Sequence, residues 1–134
     1  MIRSVNDERG AVSTFLAVIA LALLMAAGLA IDGGRKVTAL REASHIADNA
    51  ARAGAQAVDL DTLRTTGDLR LLPDQAGDRV AEYLTTLGYS ATNVVVTGPT
   101  ITVTVDITVD PVLLPTGSMT VTATETAAAI TQEP

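Results

Sequence analysis

A chain of 134 residues with no cysteine and a net charge of −6 excludes a disulfide scaffold and thiolate chemistry. No Lys or Arg follows Arg79, so the basic surface that a phosphate backbone requires is missing and no nucleic-acid partner is expected. Setting aside the first 31 residues leaves enough chain for one small domain. Its core must come from Val, Ile, Leu and Ala, because tryptophan is absent and the single phenylalanine, Phe15, lies elsewhere.

Phe15 sits in an uncharged run, Gly10 to Ile31, bounded by Arg9 and Asp32. As a helix this run is about 33 Å long, enough to cross the hydrocarbon core of a bilayer. Backbone groups there have no water to bond, which requires helix. A cleaved signal peptide is the competing reading, with Gly28-Leu29-Ala30 as a poor small-x-small site. Secretory apolar regions are usually shorter, about 7–15 residues, so a retained anchor is expected. Ala22, Ala26 and Ala30 recur every fourth residue and form a stripe suited to helix packing in the membrane, or simply reflect an alanine-rich chain. Arg3 and Arg9 precede the run while Arg35, Lys36 and Arg41 follow it, so the positive-inside count is nearly balanced.

Gly33 and Gly34 come next and weaken helix, marking a candidate hinge at the membrane surface. Helical periodicity resumes to Val58. Leu40, Ala43, Ala47, Ala50, Gly54 and Ala57 form a seam of mostly small residues on one face, suited to close approach of another helix. If the glycines do not break it, one helix runs from about Ala11 to Val58, about 72 Å. Asp48 and Arg52 form an i,i+4 pair off the seam. Leu60 to Pro73 reads as irregular. Asp74 is placed to cap a helix from Gln75 to about Leu87, ended by Gly88, with Val80, Tyr83, Leu84 and Leu87 as its apolar face.

Three strands close the chain. Asn93 to Thr97 is Val-rich, and Gly98-Pro99 makes a turn. Thr100 to Asp110 alternates strictly, with Ile101, Val103, Val105, Ile107 and Val109 inward and Thr102, Thr104, Asp106 and Thr108 outward. Ser118 to about Ala127 forms the third, with Met119, Val121 and Ala123 inward and a bulge or strand end expected near Glu125. The class is α+β: a long N-terminal transmembrane helix, then a short helix packed on a three-stranded antiparallel sheet, with Val103, Val105 and Ile107 beneath that short helix.

Chemistry-bearing constellations are sparse. His45 is the only histidine, flanked one turn away by Arg41 and Asp48, and reads as a solvated helix residue. Asp59, Asp61, Asp68, Asp74 and Asp78 lack the spacing of a calcium loop and suit surface and capping roles. Ser44 adjoins His45 on the helix, pointing about 100° away, which is no catalytic pair. No catalytic residue, metal ligand, cofactor or small-molecule substrate is expected, and the chain is not expected to be an enzyme.

Residues 10 to 58 resemble the N-terminal segment of the TadE/TadG-like proteins of Tad (Flp) pilus assembly. The resemblance rests on Arg9-Gly10-Ala11-Val12, the apolar run, Ala30-Ile31-Asp32-Gly33-Gly34, and Ala47-Asp48-Asn49-Ala50-Ala51-Arg52-Ala53-Gly54-Ala55. It implies a pilin-like minor subunit or assembly factor in a bacterial envelope, with the membrane and other pilin-like subunits or assembly proteins as partners. The implied layout is a cytoplasmic head over 1–9, span and continuing helix over 10–58, and an extracytoplasmic α+β domain over 59–134. Gly10-Ala11 is the candidate processing site, although Val12, Ser13, Thr14 and Phe15 follow without the glutamate usual in processed pilins. A non-polymerising bitopic envelope protein, whose exterior domain binds a partner, is the alternative.

Overall fold

The computed structural model describes residues 6–113 and 117–130. Helix α1 runs unbroken from Asn6 to Gly54, 49 residues and about 73 Å. Gly33 and Gly34 lie inside it and form no hinge. Each costs about 1 kcal/mol against alanine, a small sum in a helix whose distal half is pinned by tertiary packing. Thr38 Oγ1 donates to the Gly34 carbonyl at 3.1 Å in the same turn.

The two halves of α1 have different surroundings. Phe15, Leu23 and Leu24 stand bare, at 64, 66 and 71% exposure. From Ala39 onward one face is covered: Ala39, Ala43, Ile46, Ala47, Ala50 and Ala51 are buried.

Past the end of α1 the chain makes a detour that sequence reading left irregular. Helix α2, Leu60–Thr66, is capped by Asp59, whose Oδ1 accepts from the amides of Asp61 and Thr62 at 3.1 and 3.0 Å. The Thr62 hydroxyl donates to Oδ2 at 2.6 Å. These bonds from Thr62 hold the Asp59 carboxyl below its ordinary range. Gly67, at φ +79°, ends the helix in the left-handed conformation glycine tolerates. Nothing in α2 is buried. The detour is closed at its base, where Asp59 donates to the Arg70 carbonyl at 2.9 Å and Leu72 to that of Ala57 at 2.8 Å.

Helix α3, Pro73–Thr86, starts earlier than expected. Asp74 is not its cap: Leu72 holds that position without a side-chain bond, and Pro73 supplies a first turn with φ already fixed. Asp74 lies in that first turn, where a carboxylate favours the helix dipole. Ala76, Val80 and Leu84 are buried and Tyr83 is half-buried, while Leu87, just past the helix, is exposed.

The sheet is antiparallel in the order β1-β2-β3, with β1 Ala91–Thr97, β2 Thr100–Val109 and β3 Met119–Ala128. The expected bulge at Glu125 is absent. Glu125 pairs with Val103 in an unbroken register and sits half-buried on the inward side. The register shift lies in β1 instead, between Ala91 and Asn93. On the outward face the Thr102 and Thr126 hydroxyls bond at 2.8 Å, and those of Thr104 and Thr124 at 2.9 Å.

The layout is the α+β arrangement read from the sequence, but the helix lying over most of the sheet is α1. It packs against β2 and β3, whereas α3 packs against α1 and β1. Val103 and Val105 are indeed buried and Ile107 partly so, yet α3 is not their main cover. The reason is chain direction. Ile101 meets α1 near Gly54, and Val109 clusters with Ala39, so β2 runs back along α1 toward the bare half. Eight residues of strand span about 27 Å and fifteen of helix about 22 Å, so the two elements keep pace.

Gly54 marks the tightest approach. A Cβ there would lie 2.6 Å from Ile101 Cδ1, 2.9 Å from Val80 Cγ2 and 3.2 Å from the Ala76 carbonyl oxygen. Gly54→Ala should cost about 1–3 kcal/mol through overpacking. Gly34→Ala, where nothing lies within 4 Å, should stabilise by up to about 1 kcal/mol. Denaturant melts of the detergent-solubilised chain read the opposite shifts in midpoint.

Candidate functional site

The seam foreseen for a partner helix is occupied within the chain. Ala43, Ala47 and Ala50 are fully buried, Ala57 is 2% exposed, and Gly54 fits between Ile101 and Val80. Small side chains let helix and sheet backbones come close, and the nearest available surfaces are the chain's own sheet and α3. Leu40, at 45% exposure, lies off that contact. In the bare half, Ala22, Ala26 and Ala30 are exposed along α1, as are Gly10 and Ala11.

The carboxylates and His45 are not assembled. His45 is exposed, and Asp48 pairs with Arg52 at 3.0 Å on the surface. Asp68 lies 3.6 Å from Arg70, and Asp59 serves as a cap. Among the described residues no three of His, Asp and Glu gather to hold a metal ion. Tyr89, just beyond α3, donates its hydroxyl to Glu42 Oε1 on α1 at 2.9 Å. That bond holds the Tyr89 phenol above its ordinary range, since losing the proton would set two negative charges side by side.

The polar residue that sequence reasoning did not single out is Asp32. It is 2% exposed, although it stands where the apolar run ends. Its Oδ1 accepts from the Val112 amide at 2.9 Å and its Oδ2 from the Leu113 amide at 3.2 Å. Both donors belong to the loop joining β2 and β3. One turn toward the N-terminus, a Cβ on Gly28 would come within 3.3 Å of Leu113 Cβ. Gly28 and Asp32 therefore make a seat for the loop, one by lacking a side chain and the other by offering two acceptor oxygens. The carboxyl is buried against backbone N–H groups, so its desolvation is offset by hydrogen bonds. A carboxylate directly at the end of an uncharged run was the visible signal; its partners, about eighty residues on, were not.

The stretch that carries the bare helix, Asp32 and the seam is also the stretch that a family model matches. Residues 10–57 match the Tad family, described as Putative Flp pilus-assembly TadE/G-like. No curated protein and no solved structure matches the chain. The Tad match ends at Ala57, where α1 hands over to the α2 detour, so α2, α3 and the sheet lie outside it. The Tad match and the helix that is apolar and long enough to cross a bilayer thus lie over the same residues.

Asp32→Ala should leave two loop amides without their acceptors and cost about 1–3 kcal/mol. Hydrogen exchange at Val112 and Leu113 should accelerate while the amides of β2 stay protected. Asp32→Asn keeps one acceptor oxygen and should fall between the two. Unchanged exchange at both amides in the Ala variant would remove Asp32 from the seat.

Proposed function

We propose that this chain is a membrane-anchored, pilin-like minor subunit or assembly factor of a Tad (Flp) pilus. The observation that carries the reading is the division of α1 within the Tad-matched stretch: a bare apolar half of bilayer-spanning length, then a half built into a small domain. In this reading the N-terminal head stays in the cytoplasm and the α+β domain stands outside the membrane. The span holds the subunit in the bilayer before assembly, and the exposed Ala22, Ala26 and Ala30 stripe is where another span packs. Nothing chemical is turned over; the work is packing and presentation.

Two experiments test it. Leu23→Arg places a charge in the span and should cost about 2.5–3.5 kcal/mol of insertion, read as loss of the chain from the membrane fraction. Shearing surface filaments from cells with and without the gene then separates the pilus role from the alternative. A pilus component makes filaments scarce when it is deleted. If filaments are unchanged and the chain stays wholly in the membrane, it is a bitopic binding protein instead.

A further inference from the structure

We infer that Val112 and Leu113, just past the end of β2, make a second membrane contact and insert among lipids at the outer end of the span. This rests on the span reading above and adds a lipid-facing site on the distal domain.

Six observations carry it. β2 runs back along α1 toward the bare half and delivers its loop beside Asp32 and Gly28. Gly28 lies about 6 Å inside Asp32 along the helix axis, the depth at which interfacial apolar groups sit below the headgroups, about 5–10 Å. Val112 and Leu113 are apolar and exposed, at 65 and 55%, although their own amides are tied down. No charged residue occurs between Asp110 and Glu125 to hold the tip in water. On α1 at the same level, Leu24, Met25, Leu29 and Ile31 are exposed too, so the tip extends the surface that the span presents to lipid. Arg35 and Lys36 follow one turn beyond, where cations meet headgroup phosphates.

The loop and the carboxylate protect one another in this arrangement. The Asp32 carboxyl would otherwise face the hydrocarbon edge without these donors. The loop amides would otherwise enter lipid unbonded, at a cost of several kcal/mol each. Joined, the carboxyl and the Val112 and Leu113 amides satisfy one another while the Val112 and Leu113 side chains stay exposed.

The test uses the full chain in vesicles of phosphatidylcholine and phosphatidylglycerol. The protein contains no tryptophan, so Val112→Trp and, separately, Leu21→Trp at mid-span each give a single indole. We expect Val112→Trp emission to shift to shorter wavelength and to be quenched by lipids brominated near the glycerol end of the chain. Leu21→Trp should be quenched by lipids brominated deep in the bilayer. If Leu21→Trp behaves so while Val112→Trp is quenched by aqueous iodide, the loop inference is overturned and the span reading stands. If neither is quenched by lipid, the span reading falls and takes this one with it. If Val112→Trp escapes both quenchers at high protein density and becomes open to iodide on dilution with lipid, the tip contacts another protein and the inference is overturned. The chain also lacks cysteine, so a nitroxide on Val112→Cys gives a second readout with a different side chain. Collisions with oxygen should exceed those with a water-soluble nickel complex; the reverse order overturns the assignment.

Discussion

Everything in this molecule depends on how little side chain α1 carries along one face. A helix bearing leucines at Ala43, Ala47, Ala50 and Gly54 could not let a sheet settle within reach of its backbone. With alanine and glycine there, the largest fully buried apolar side chains come from the other side: Ile101, Val103 and Val105 from β2, Val80 and Leu84 from α3. The domain has no tryptophan and no phenylalanine to fill space, so close approach replaces bulk. That makes the contact intolerant of added atoms.

The same helix solves two solvent problems in succession. Its first half has large apolar side chains facing outward all round, which suits lipid. Its second half narrows to an apolar stripe, which suits a sheet on one side and water on the other. Asp32 stands at the change of regime, and its bonds to the Val112 and Leu113 amides tie the far end of the sheet back to that boundary. The domain is thus held along α1 from the core near Gly54, past Ala39 against Val109, to the Asp32 seat.

Periodicity made much of this legible. The strict alternation from Ile101 to Val109 gave the inward face of β2, and the apolar run gave the bare half of α1. The continuity of the helix through Gly33 and Gly34 was left open, because propensity weighs two glycines locally while tertiary packing acts on the whole element. Helix α2 was missed for a different reason. Asp59 with Thr62, and Gly67 after it, form a cap and a stop, but no apolar face links them, and periodicity cannot see a helix that buries nothing. The seam was visible as a seam, yet alanines do not say whether their partner is another subunit or the same chain. That is a matter of topology, decided by β2 turning back along α1. Asp32 illustrates the limit most sharply: its residue type and position were plain, and its function lies in two backbone amides that leave no signature in composition.

In the membrane-anchored reading, a single helix shared between bilayer and domain is also a lever. From Asp32 to Gly54 it extends about 33 Å without interruption, and the domain is fastened along that length. Transmembrane helices tilt by about 20° on average, and such a tilt would carry the distal end of the domain about 11 Å sideways. A jointed stalk would absorb that movement at Gly33 and Gly34. An unbroken α1 would transmit the lean and the azimuth of a span undiminished, so the bilayer's thickness and the span's neighbours would set which way the Thr-lined sheet faces.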